Sequence, residues 1–255
     1  MIRPPSVRVG AVEVMAIGEA EVADHVAAAR RAGLGGSIVT ANVDIIRKAT
    51  RDPGLARLVA EAELVVADGM PVVWAARLQR LAVPARVTGS SLVFTLSERA
   101  AAEGWSVYLV GGDPGVAAEA GRVLAERYPG LRVAGDHCPP YGFEQSPEGL
   151  AEVVGKVAAA EPDLVLVGLG FPKQELTIAA IRARLPRAWY LGCGAGIPMA
   201  AGQFRRAPER LQRLGGEWLY RLWLEPRRLA RRYLREDTPF ALRMLAVAVW
   251  RRLTS

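Results

Sequence analysis

Residues 164–169 read LVLVGL, a run with no polar position on either side of an extended backbone. A strand of this kind must be buried on both faces, which confines it to a mostly parallel sheet covered by helices. Similar short β-branched or apolar runs recur at Ser37–Ala41, Leu64–Ala67, Ser106–Val110, Leu131–Ala134 and Trp189–Cys193. Between them lie segments with apolar residues at helical spacing. Asp113–Tyr128 opens with Pro and Gly, and Pro147–Ala160 follows a similar pattern. Strands alternating with helices predict an α/β fold, a doubly wound, mostly parallel Rossmann-like sheet. The alternation stops near Gly202–Pro208. The chain therefore divides into an α/β catalytic core over residues 1–204 and an Arg-rich, amphipathic C-terminal helical appendage over residues 205–255.

Composition narrows the functional classes. Of the 255 residues 51% are apolar, enough for a full core. Cys138 and Cys193 stand far apart without a cluster of histidine partners, so neither a disulfide framework nor a zinc site is indicated, and a reducing cytoplasm fits. The start, MIRPPSVRVG, lacks the apolar core of an export signal, and no apolar stretch reaches the roughly 18 to 20 residues that span a bilayer. Charge is unevenly spread. From Arg205 onward 13 Arg face 5 acidic residues, whereas the first 204 residues are nearly neutral. Mixed with Trp218, Tyr220, Trp223, Tyr233 and Trp250, this cationic tail predicts an anionic partner: a membrane surface, a diphosphate or a nucleic acid. Within it Arg228, Arg231, Arg232 and Arg235 fall on one helical face, opposite Leu229, Ala230, Tyr233 and Leu234.

Four clusters sit where a parallel sheet places its ligands, just past the carboxyl ends of strands. In Thr40-Ala41-Asn42-Val43-Asp44, Asn42 either caps the next helix or joins Thr40 in binding a polar ligand. Asp68, in Ala67-Asp68-Gly69-Met70-Pro71, is either a turn-former or a general base at a cleft mouth. Arg86, nearby in sequence, is then either a substrate contact or a solvated surface cation. The turn Gly111-Gly112-Asp113-Pro114-Gly115 precedes a helix whose amides suit phosphate, although its spacing is neither a Rossmann fingerprint nor a P-loop. Finally Lys173, Gln174 and Glu175 arrive together after Pro172, and Gln174 can both donate to and accept from a sugar or nucleotide hydroxyl. No Asp-x-Asp pair of the kind that holds a metal against a diphosphate is present, so no metal and no other cofactor is expected.

These segments, together with Arg86-Val87-Thr88-Gly89, Pro139-Pro140-Tyr141-Gly142-Phe143, Arg206-Ala207-Pro208 and Glu217-Trp218-Leu219-Tyr220-Arg221-Leu222, resemble in their order the WecG/TagA/CpsF glycosyltransferase family. The likeness runs from about Thr40 to Tyr233. It implies a bacterial enzyme of cell-surface polysaccharide synthesis that moves a sugar such as N-acetylmannosamine from a UDP donor to a polyprenyl-diphosphate-linked acceptor, with inversion and without a metal. By the same resemblance Asp68 matches the proposed catalytic base, and Thr40, Arg86 and Gln174 match polar residues lining the pocket. Arg221, Arg228 and Arg231 match tail arginines that fold over the donor diphosphate at the membrane. Gly112 and Tyr141 are taken with Asn42 as further substrate contacts. Such enzymes are cytoplasmic and peripheral on the inner face of the membrane, and the resemblance leaves room for homo-oligomers that open at the bilayer. Ile197-Pro198 and Ser91 stand where many members carry acidic residues. The rival function is a nucleotide-sugar-binding regulatory module without transfer activity. Nucleic acid is not expected as a partner, because no recognised binding motif accompanies the basic tail.

Overall fold

A computed structural model of the protein describes residues 3–203, 220, 222–223 and 230–254. In chain order the elements are β1 (Ser6–Val9), β2 (Val12–Met15), α1 (Glu19–Arg31), β3 (Gly36–Ala41), α2 (Val43–Arg51), α3 (Pro53–Ala60), β4 (Leu64–Ala67), α4 (Met70–Leu78), α5 (Gly89–Glu103) and β5 (Ser106–Gly111). There follow α6 (Val116–Arg127), β6 (Arg132–His137), α7 (Pro147–Ala160), β7 (Leu164–Gly168), α8 (Lys173–Arg182), β8 (Trp189–Gly192) and α9 (Gly196–Ala200). A π-helix (Arg231–Asp237) then runs directly into a C-terminal helix (Thr238–Thr254).

Among the described residues eight strands form one sheet in the order β1-β2-β4-β3-β8-β7-β5-β6, parallel throughout except for the β1–β2 hairpin at one edge. Strand periodicity explains why helices cover both faces. Ile38, Leu64, Val66, Leu109, Leu164, Leu166 and Leu191 pack in one apolar cluster with residues of α1, α5, α6 and α9. Their neighbours point the other way. Val39, Ala41, Val65 and Ala67 join α2 and α4, and Val110, Val165, Val167 and Tyr190 join α7 and α8. The apolar run of β7 is thus buried on both sides, as LVLVGL requires. At the far edge β6 is largely exposed.

The C-terminal helix belongs to this packing. Met244 and Ala248 are buried in the same cluster as Val72, Val73, Ala75 and Ala76 of α4, and the helix lies across α4 beside the carboxyl ends of β3 and β4. Of the boundary expected near Gly202–Pro208, residues 204–208 lie outside the described residues. Among the described residues no helix is long and apolar enough to cross a membrane.

Candidate active site

The carboxyl ends of β3 and β4 are locked together before any side chain is considered. The Asp68 amide donates to the Ala41 carbonyl (3.0 Å), extending the ladder one residue past β4, and the Val87 amide donates to the Ala67 carbonyl (2.9 Å). The second bond draws the segment bearing Arg86 against the end of β4. Gly69 follows Asp68 with φ +108, a conformation open to glycine, and turns the chain into α4 with Pro71 in its first turn. Asn42 caps α2, its side chain accepting from the Ile45 amide (3.0 Å).

These groups meet in a cavity of 400 Å³. Asn42, Asp44, Asp68 and Arg86 line it from the sheet edge, Met70, Pro71 and Trp74 from α4, and Arg232, Tyr233, Asp237, Leu242 and Leu245 from the C-terminal segment. The volume falls in the range of small-molecule sites, and its lining combines a charged wall with an apolar one. A carboxylate beside a guanidinium suits two tasks together: accepting a proton and holding a phosphate-like anion.

Other expected site residues lie elsewhere. Thr40 is buried, its hydroxyl donating to the Gly192 carbonyl between β3 and β8 (3.5 Å), and it does not line the cavity. Gln174 is 4% exposed and committed to the protein itself. Its Oε1 accepts from the Gly170 and Gly194 amides (3.1 Å each), and its Nε2 donates to Glu175 Oε1 (2.8 Å). It clamps the loop after β7 to the loop after β8. Glu175 is equally buried, its Oε2 has no hydrogen-bond partner among the described residues, and burial pushes its carboxyl up to about 7. Cys193 is also buried, and burial pushes its thiol up to about 12, which makes it inert as a nucleophile.

A second group forms around Lys173, whose ammonium pairs with Glu144 (2.9 Å) and sits 5.2 Å from the Tyr141 ring and 5.8 Å from that of Phe143. Tyr141 itself is 99% exposed. Gly112 follows β5 with φ +80, and its carbonyl accepts from the Cys138 thiol (2.9 Å). Four strand spacings separate the end of β5 from that of β4, roughly 19 Å. The structure therefore gathers Asn42, Asp68 and Arg86, and leaves Thr40, Gly112, Tyr141 and Gln174 outside that cavity.

In the tail, Arg221 and Arg228 lie outside the described residues. Arg231 is 83% exposed at its side chain, with Nε 3.8 Å from Glu236, while Arg232 lines the cavity. Regular helical spacing puts Arg231 and Arg232 on one face and Tyr233 on the other. In the structure Arg232 and Tyr233, adjacent on the π-helix, both line the cavity. Sequence reasoning also missed Trp74, although its spacing from Met70 places both on one face of α4.

A doubly wound sheet with carboxylates and arginines lining a cavity at its carboxyl edge, beside a C-terminal helix, defines an α/β protein with a polar cleft of small-molecule size. The sequence matches the glycosyl transferase WecG/TagA/CpsF family over residues 7–254. The chain belongs to that family, of glycosyltransferase family 26 type, and is thereby a glycosyltransferase of cell-surface polysaccharide synthesis. Membership implies in general a nucleotide-sugar donor and a lipid-linked acceptor.

Proposed function

We propose that the protein is an inverting, metal-independent glycosyltransferase that moves an N-acetylmannosamine-like sugar from a UDP donor to a polyprenyl-diphosphate-linked glycan. The observation that carries this reading is the placement of Asp68 and Arg86 in one 400 Å³ cavity covered by Arg232 and Tyr233. Asp68 takes the proton from the acceptor hydroxyl. The acceptor oxygen forms its bond to the anomeric carbon as the bond from that carbon to the diphosphate oxygen breaks, and UDP leaves from the opposite side. Arg86 and Arg232 meet the charge that develops on the leaving diphosphate. Cover by the C-terminal segment excludes water that would otherwise hydrolyse the donor. Thr40, Gln174 and the Arg231 region support the site through the loops and helix that frame it.

In this reading residues 205–255 act as the appendage to a core of residues 1–204 and bring the enzyme to the inner face of the membrane. The exposed side chains of Trp250 and Leu253, next to Arg252, support that role. The test is incubation with a panel of UDP-sugars and a short-chain lipid-diphosphate sugar, reading UDP release and product mass. One donor that yields UDP and a product heavier by one sugar supports the proposal. UDP binding without turnover on any donor supports a regulatory module instead.

A further inference from the structure

Helix α2 presents Ile45, Ile46 and Ala49 to the core, yet Arg47 is buried too, only 4% exposed. A guanidinium pays heavily for leaving water unless its charge is met. Here it meets three carboxylates. Nη2 lies 2.6 Å from Asp44 and 2.8 Å from Glu236, and Nε lies 3.0 Å from Asp237. Asp44 also pairs with Lys48 (3.0 Å), and Asp237 lies 3.6 Å from Arg232. Asp44 and Asp237 both line the cavity, the first from α2 and the second from the end of the π-helix.

We propose that Arg47 is a positioning residue of this site: a buried latch that binds the π-helix to α2 and thereby sets the far wall of the cavity. The inference rests on reading the cavity as the substrate site. Its physical basis is that buried ion networks contribute little net stability compared with apolar packing, while their directional bonds fix one geometry. The C-terminal helix has a separate anchor further along. Met244 and Ala248 are buried against α4, and the Arg251 guanidinium donates to the Arg8 carbonyl (2.9 Å) and to Gln79 (3.3 Å). Arg47 therefore governs only the near end, residues 231–241, which carries Arg232, Tyr233 and Asp237. Without its charge Asp44 and Asp237 repel each other across the gap, the near end leaves α2, and both carboxylates face an incoming diphosphate with less cation to offset them.

The test uses the full chain, with hydrogen exchange and calorimetry against UDP. Arg47→Met speeds amide exchange in residues 231–241 and leaves β7 and residues 244–254 protected, and it weakens UDP binding about tenfold or more. Adding Asp237→Asn removes the repulsion and recovers part of that affinity. Arg47→Lys, which keeps the charge but cannot reach three carboxylates with one compact ammonium, falls between the wild type and Arg47→Met. The latch is overturned by unchanged exchange at 231–241, by exchange rising equally in β7, or by unchanged UDP affinity despite selective opening. If Arg47→Met does not fold, Arg47→Lys carries the same comparison. A wild-type protein with no affinity for UDP overturns the substrate-site reading instead and removes the role assigned to Arg47 with it, whereas selective opening would still record the mechanical link.

Discussion

Replacing Glu175 by Gln should flatten the pH dependence of stability. The folded protein holds this carboxyl at about 7, raised first by burial, against an ordinary 4.5. The native state therefore keeps a proton that the unfolded chain releases, and stability falls as pH rises from about 4.5 to about 7. Integrated from pH 5 to pH 8, the difference in proton binding amounts to roughly 2–3 kcal/mol. Glutamine carries no such cost and can still accept from the Gln174 amide, as Glu175 Oε1 does at 2.8 Å. Its own amide group inherits the place of the unpartnered Oε2, which shifts the variant's stability by a fixed amount at every pH. The quantity to measure is thus the change with pH in the difference between variant and wild type. For a chain of this size it corresponds to about 5 to 10 °C in Tm, gained by the variant relative to wild type between pH 5 and pH 8. Thermal unfolding followed by circular dichroism at both pH values gives it directly, and parallel curves at the two would refute a buried, protonated Glu175.

Gln174→Leu leaves the Gly170 and Gly194 amides without their acceptor and should cost roughly 2–6 kcal/mol in denaturant unfolding; lost turnover at unchanged stability would return Gln174 to the role of substrate contact. Gly89→Ala places a Cβ 2.9 Å from the Cys193 Cα and 3.2 Å from the Thr40 hydroxyl, forcing α5 from the sheet at a cost of about 1–3 kcal/mol, and a variant as stable as wild type would contradict that packing. Trp250→Ser combined with Leu253→Ser, both on exposed positions, should reduce co-sedimentation with anionic vesicles severalfold while leaving Tm nearly unchanged; equal sedimentation would count against membrane docking through this face.

Much of the fold was legible because β7 and its neighbours are apolar on both faces, a pattern that admits few architectures. The edge hairpin was harder. Ser6–Met15 alternates polar and apolar residues about Gly10, a weak signal next to the question of an export sequence. β6 begins within the expected run and extends to His137, since an exposed edge strand carries little apolar pattern. At the site, Asn42 is a helix cap, one of the two readings its position allowed, and it also lines the cavity. Gln174 shows the limit. A polar residue after a buried strand can meet a ligand or clamp a neighbouring loop, and Gly194, distant in sequence, decides which bonds it makes. Arg232 shares its helical face with several other arginines, and only the packing of residues 231–254 shows that it lines the cavity. The link from Arg47 to Asp237 spans 190 positions and has no local sequence signature.

The most direct measurement of the central claim is Asp68→Asn, assayed for sugar transfer and for UDP binding on the same preparation. Asparagine preserves the shape of the side chain and the amide bond to Ala41 but cannot accept the acceptor's proton at neutral pH. The account predicts that turnover falls by about two to four orders of magnitude while UDP affinity stays within a few fold of wild type. Turnover retained at wild-type level with UDP binding intact would contradict it and take Asp68 out of the chemistry.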